Sequence, residues 1–283
     1  VAAKARRRGR RRILLVVALV GVVAAGAGVV VSGAWVARND DVAGSDDAPT
    51  SSTTTSTTAA PTTTTTSTTT PPTTTTTEPP PAGADGKLEH GEHGDEVSAL
   101  QVRLDELGFW LGTPDGNYGQ LTRQAVMAFQ KAEGLGRDGI AGAGTLAALE
   151  VGVRPAPRDP NGSHLEIDLD RQLLLVVQDG QTQWAFNTST GNGEAYAAPG
   201  GGTAVAGTPR GSFSIEREID GPRKAPLGTL YRPKYFHGGI AIHGAGNIPA
   251  LPASHGCARV TNSAMDLLWS SGVTALGTPV LVY

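Results

Sequence analysis

One cysteine stands in 283 residues, inside the run Ser254-His255-Gly256-Cys257-Ala258-Arg259. A sulfur attacks carbonyls as the thiolate, and neighbouring histidine or arginine favours that form. With His255 two residues before it and Arg259 two after, Cys257 sits in a polar surround expected to lower its pKa. A single cysteine forms no intramolecular disulfide. The competing reading is a small buried hydrophobe, a common state of free cysteine.

A nucleophile needs a base, and His243 and His255 are the candidates. Side chains two apart on one strand point the same way without converging on one proton. A histidine on a separate strand can face across to the sulfur. His243, closing the β-like run "GGIAIHG", fits that role. A backbone carbonyl near Gly244 would hold one ring nitrogen and leave the other free to accept the thiol proton. No Asp or Glu stands where it would serve as a third group.

Positioning these residues falls to a mainly β segment. From residue 163 the sequence alternates at Leu165, Ile167 and Leu169, then runs apolar from Leu173 to Val177. An Asp179-Gly180 turn and a second run through Trp184 and Phe186 complete a hairpin. "GSFSI" and "PVLVY" supply further strands, and "NSAMDLLWSSG" is the one clear helix. Sheets packed around one core are expected.

A different pattern fills residues 91–150. "DGNYGQLT" (115–122) and "DGIAGAGT" (138–145) share Asp-Gly, a second glycine and a threonine in register: Asp115, Gly116, Gly119, Thr122 and Asp138, Gly139, Gly142, Thr145. Asp-Gly signals a turn, and threonine is a good N-cap. Val97, Leu100, Leu104 and Leu107 mark a helix after an Asp95 cap. Val126 and Phe129 mark a second and Leu146 and Leu149 a third. His90 and His93 precede this unit without a matching third ligand, so they read as solvated rather than as a metal site.

Farther N-terminal, seven basic residues in 1–12 precede an uncharged stretch, 13–36, long enough to cross a bilayer core of about 30 Å. The basic flank favours a cytoplasmic N-terminus. We expect an uncleaved single-pass anchor, with a signal peptide cut after Ala34 as the alternative. Either places the remainder outside the cytoplasm. Residues 37–86, rich in threonine and proline, have nothing to bury and read as a disordered linker reaching on the order of 100 Å. Outside the basic tail, 16 Lys and Arg stand against 26 Asp and Glu. That acidic balance argues against a nucleic-acid partner.

Two resemblances join these parts. Residues 87–153, through LQ, the LG-aromatic pair, the repeated DG-x-x-G-x-x-T and Phe-Gln, resemble a peptidoglycan-binding domain of the three-helix type. That implies wall binding in a groove lined by the Asp-Gly turns, although each turn residue alone reads as structural. Residues 163–283 resemble the catalytic domain of L,D-transpeptidases of the YkuD type, through "IHG", "SHGCARVTN", "NTSTG", "GTPRGSFSI" and "PKYFHGGIAIHG".

The second resemblance implies a β-sandwich-like fold and a bacterial enzyme in the cell wall, held by its membrane anchor. It would join peptidoglycan stems 3→3 through a Cys257 thioester, with no metal or cofactor. His243 would be the base, oriented at Gly244. His255 would shape the pocket. Gly256 and Cys257 N–H groups would form the oxyanion hole. Ser254, Arg259, Tyr231, Tyr235, Phe236, His237 and Asn262 are candidates for contact with substrate. Some members carry asparagine two residues after the cysteine; Arg259 stands there, so it either touches substrate or fixes the loop by an ion pair. Carbapenems would be inhibitors. The rivals are an L,D-carboxypeptidase, a non-catalytic wall binder, a cysteine endopeptidase of the NlpC/P60 kind, whose cysteine precedes its histidine, and an adhesin on a stalk.

Overall fold

The computed structural model describes residue 83 and residues 85–283. The basic tail (1–12), the expected anchor (13–36) and nearly all of the linker (37–86) lie outside the described residues. Among the described residues no helix is long and apolar enough to cross a membrane.

Three helices come first: α1 (Asp95–Glu106), α2 (Gln120–Ala132) and α3 (Ala143–Val151). Their caps differ from expectation. Gly94, Gly119 and Gly142 hold the N-cap positions, without side-chain caps. Asp95 therefore opens the first turn, and Thr122 and Thr145 lie inside theirs.

Both threonines have another task, because a buried glutamine from the preceding helix reaches each. Gln101 Nε2 donates to Asp115 Oδ1, Asn117 O and Thr122 Oγ1, while its Oε1 accepts from the N–H groups of Asp115 and Gly116. Gln130 repeats this with Asp138 Oδ1, Ile140 O, Thr145 Oγ1 and the Gly139 N–H. The sequence repeat is thus a repeated polar clasp that satisfies a buried amide on both sides. Positive φ at Gly116 and Gly139 (73° and 72°) explains those two glycines.

The β part runs β1 (His164–Asp168), β2 (Leu173–Gln178), β3 (Gln181–Asn187), β4 (Ala195–Ala197), β5 (Thr203–Val205), β6 (Gly211–Ser214), β7 (Arg217–Glu218), β8 (Pro222–Ala225), β9 (Gly228–His237), β10 (Ile240–Ala245), β11 (Ala258–Thr261), helix α4 (Asn262–Ser270) and β12 (Pro279–Val282). One sheet has the order β3-β2-β1-β12-β6. The other runs β11-β10-β9-β7, with β8 also on β9, and β4-β5 is a separate hairpin. Asp179 and Gly180 both have positive φ, which suits the tight turn between β2 and β3.

The apolar run of β2 is explained by burial on both faces. Leu173, Leu175 and Val177 join the helical module's core with Phe109, Phe129 and Leu104. Leu174 and Val176 face the opposite way, into a core with Ile167, Phe236, Ile242, Val260 and Leu268. Continuous hydrophobicity replaces alternation when a strand is covered twice. The two regions read as separate modules in the sequence therefore share one hydrophobic core.

Polar contacts cross the same boundary. Buried Lys131 of α2 donates to the carbonyls of Gln172 and Thr188, each at 3.0 Å, and to Asn187 Oδ1. Gln124 donates to the Ile248 carbonyl at 3.2 Å.

Candidate active site

Strands β10 and β11 are parallel neighbours, and their register sets His243 opposite Arg259. Alternation sorts β10 into two faces. Ile242 packs into the inter-sheet core with Ala258 and Val260. Ala241, His243 and Ala245 face the other way. Ala241 lies over a small apolar cluster of Leu230, Tyr235 and Cys257, and His243 and Ala245 line an open cleft of about 660 Å³.

Cys257 ends the loop that enters β11. Its Sγ lies 3.9 Å from the Gly239 carbonyl, a loose contact. Three interactions knit that loop. Ser254 Oγ donates to the Cys257 carbonyl (2.6 Å) and accepts from the Gly256 N–H (3.0 Å), and Thr208 Oγ1 donates to the Gly256 carbonyl (2.6 Å). At Gly256 φ is +136°, and a Cβ would come 2.9 Å from the Gly207 carbonyl oxygen. Glycine alone fits both constraints. The Gly256 N–H is engaged by Ser254, which takes it out of the pair of oxyanion donors read from the sequence; the Cys257 N–H is the other member of that pair.

His243 is buried, and its Nδ1 lies 2.9 Å from the Gly244 carbonyl. An Nδ1–H donating there leaves Nε2 with a free lone pair. Burial, with Arg259's charge, brings the ring's pKa down to about 4, against the raising effect of the Gly244 hydrogen bond. Cys257 departs from expectation: burial raises its pKa above the ordinary thiol value, outweighing a backbone hydrogen bond at Ala241 and the charge of Arg259. Desolvation penalises a thiolate more than one cation returns. The resting pair is thiol and neutral imidazole, which suits removal of the thiol proton during attack.

The cleft brings together Cys257, His243, His255, Ser254, Arg259 and Tyr235. Arg259 makes no ion pair among the described residues, so the expected ionic tie to the loop is absent there. Its backbone does the fixing, with its N–H on the Ser189 carbonyl (3.1 Å) and its carbonyl accepting from Thr188 Oγ1 (2.8 Å).

Four expected substrate residues lie elsewhere. Tyr231 packs with the inter-sheet core and donates to Asp266. Phe236 is buried in that core, and His237 lies 5.0 Å from the Phe213 ring. Asn262 and Tyr231 abut Gly244, where a Cβ would meet Asn262 Oδ1 at 2.7 Å and Tyr231 Cδ1 at 2.8 Å. Gly244 thus lets two side chains close beneath the strand that carries His243. In the helical module, the side chains of Asp115, Thr122 and Asp138 are engaged by the glutamine clasps described above.

Other residues at the cleft carried no sequence signal. Tyr196 from the β4-β5 hairpin packs edge-on against His255, ring centroids 4.6 Å apart. Arg217 and Arg223 come from β7 and β8.

Comparison with known proteins agrees with this architecture. Residues 162–282 match the family model of the L,D-transpeptidase catalytic domain, and residues 93–149 that of a peptidoglycan binding domain. The crystal structure of the L,D-transpeptidase from Xylanimonas cellulosilytica is 52% identical, with a TM-score of 0.67; the match covers 69% of this chain and 96% of that one. Among curated proteins, the N-acetylmuramoyl-L-alanine amidase CwlM of Mycobacterium tuberculosis is 47% identical over 57 residues, 20% of this chain and 14% of that protein. A spore cortex-lytic enzyme of Oceanobacillus iheyensis is 31% identical over 129 residues, 45% of each chain. The chain thus spans less than half the length of these curated relatives.

Proposed function

Because the chain belongs to the L,D-transpeptidase family of the YkuD type, we propose that it joins peptidoglycan stems 3→3 through a thioester on Cys257. The supporting observation is the common cleft of Cys257 and His243, with the histidine's Nδ1 tied to Gly244 and its Nε2 open.

The reaction has two halves. Cys257 Sγ attacks the carbonyl carbon of the third stem residue while His243 Nε2 takes the thiol proton. The Cys257 N–H faces the developing oxyanion. Collapse breaks the peptide bond, and the imidazolium returns its proton to the departing D-alanine amine. The thioester keeps the acyl group activated, so no ATP is consumed. An amine from a second stem then attacks, its proton passes to His243, and the thiol is regenerated as the new amide forms. Water in place of that amine would give the carboxypeptidase outcome. His255, braced by Tyr196, and Arg259 border the path to the sulfur.

The helical module would hold the enzyme against immobile substrate, and the segment at 13–36 would anchor it in the bacterial membrane with the catalytic part in the wall. Tethering raises effective concentration where substrate cannot diffuse. The test is the full chain with purified disaccharide-tetrapeptide, followed by mass spectrometry beside Cys257→Ala. Loss of D-alanine with a dimer one D-alanine short of two monomers supports the reading. Monomeric tripeptide alone makes the enzyme a carboxypeptidase.

A further inference from the structure

The charge of the cleft runs against the charge of the chain. Outside the basic tail, acidic residues outnumber basic ones 26 to 16. Yet Arg217, Arg223 and Arg259 all line the cleft, and no Asp or Glu among the described residues does. None of the three takes part in an ion pair among the described residues, whereas Arg171, Arg210 and Arg232 all do.

Strand register brings them to one face. Arg217 pairs with Tyr235 across β7 and β9, and Tyr235 pairs with Ala241 across β9 and β10. Arg223 pairs with Leu230 across β8 and β9. Leu230, Tyr235 and Ala241 form the apolar cluster under Cys257. The Arg217 guanidinium lies 3.5 Å from the centroid of the Tyr235 ring, a cation–π contact that orients it without neutralising it. A concave site of one charge sign with apolar walls focuses its field on an incoming ligand.

We propose that Arg217 and Arg223 make this cleft select anionic acyl donors, and so favour stems whose diamino acid carries a free carboxylate over stems amidated there. The stem assignment rests on the transpeptidase reading above; the anion selectivity of the cleft does not. A carboxylate within reach of a guanidinium fork gains a charge-assisted hydrogen bond that an amide cannot match.

Cys257 is the only thiol in the chain, so alkylation reports on the cleft without requiring turnover. The full chain is treated with iodoacetate, which is anionic, and iodoacetamide, which is neutral. The ratio of their rates is referred to that of 2-mercaptoethanol. The expected ratio in the wild type is about three- to tenfold above the reference at low salt, falling as salt is raised. The Arg217→Gln/Arg223→Gln pair should return it toward the reference, and Arg217→Lys/Arg223→Lys should keep most of it. In parallel, kcat/KM for D-alanine release should favour the free-carboxylate stem over the amidated one by about tenfold, a preference the Gln pair loses. A wild-type ratio equal to the reference and insensitive to salt overturns the proposal, even if the variants fail to fold. Charge-selective alkylation with neither stem turned over supports the anion-selective cleft and removes the transpeptidase reading.

Discussion

The ammonium of Lys131 donates to the carbonyl of Thr188 at 3.0 Å, and the hydroxyl of Thr188 donates in turn to the carbonyl of Arg259 at 2.8 Å. A charge inside the helical module is thus two hydrogen bonds from the strand that leaves Cys257. Burial, with the charge of Arg137, lowers the Lys131 pKa to about 7. Its three oxygen acceptors match the three donors of an ammonium. Lys131→Met removes those donors and strands three buried acceptors, which costs about 2–4 kcal/mol. The expected result is a lower urea midpoint together with faster proteolysis around 187–190, read by mass spectrometry of the fragments.

A shared core has a thermodynamic consequence. Phe109 and Phe129 meet edge-on, centroids 5.4 Å apart, in the same cluster as Leu173 and Leu175. The helical part's core is closed by Leu173, Leu175 and Val177 of β2, so calorimetry should show one cooperative transition. Phe109→Ala should lower it by about 3–5 kcal/mol without splitting it. Two separated transitions would mean that the parts fold independently.

What could be read from the sequence follows from how local each signal is. Cys257, His243, Ser254 and Arg259 lie within 17 positions of one another, and strand, loop and strand hold them together. The hairpin and helix α4 announced themselves through turn chemistry and periodicity. Tyr231, Tyr235, Phe236 and His237 could not be sorted, because only the pairing of β9, with its register shifts against β10, decides which face each takes. Arg217 and Arg223 reach the cleft by pairing with β9, and neither sits in a periodic pattern. Lys131 looked like an ordinary helix lysine because its acceptors lie 41–57 residues away. The double burial of β2 was written in its unbroken apolar run, but a run alone does not say what covers each side.

The titration of the pair gives a pH prediction. His243, depressed to about 4, is neutral through the neutral range. Cys257, raised by burial, stays a thiol there. Alkylation by iodoacetamide should therefore keep rising with pH through and beyond the ordinary thiol range, with no plateau between pH 5 and 8. Such a plateau would instead reveal a thiolate–imidazolium pair. Stability carries the matching sign. Below pH 6.5 the unfolded chain binds a proton that folded His243 refuses, so stability is lost between pH 6.5 and 4, by about 3 kcal/mol from this group. Denaturant midpoints across that window measure it.

Gly256→Ala tests the loop without touching a reactive atom. The new methyl meets the Gly207 carbonyl oxygen at 2.9 Å, on a backbone with φ +136°. Strain of about 1–3 kcal/mol is expected. The loop can relieve it only by giving up the Ser254 and Thr208 hydrogen bonds on either side of Gly256. We expect a modest fall in thermal midpoint, beside a drop in D-alanine release of a hundredfold or more, since misplacement by about 1 Å costs that much. Equal losses of stability and activity across a milder series, such as Gly207→Ala, would assign the loop a structural role alone.

Acylation by a carbapenem tests the nucleophile apart from wall substrate. Its strained amide carbonyl offers Cys257 an acyl group and carries a carboxylate that suits the arginine-lined cleft. Ring opening on the sulfur needs only the thiol, the open Nε2 of His243 and a donor to the oxyanion. Intact-protein mass spectrometry should show one adduct of the full drug mass, located to Cys257 by peptide mapping and absent from Cys257→Ala. His243→Ala should slow its formation by about a hundred- to ten-thousandfold, the usual contribution of a general base. A wild-type chain that alkylates normally with iodoacetamide yet forms no adduct would mean that the cleft does not admit strained acyl donors, and would count against its reading as a transpeptidase site.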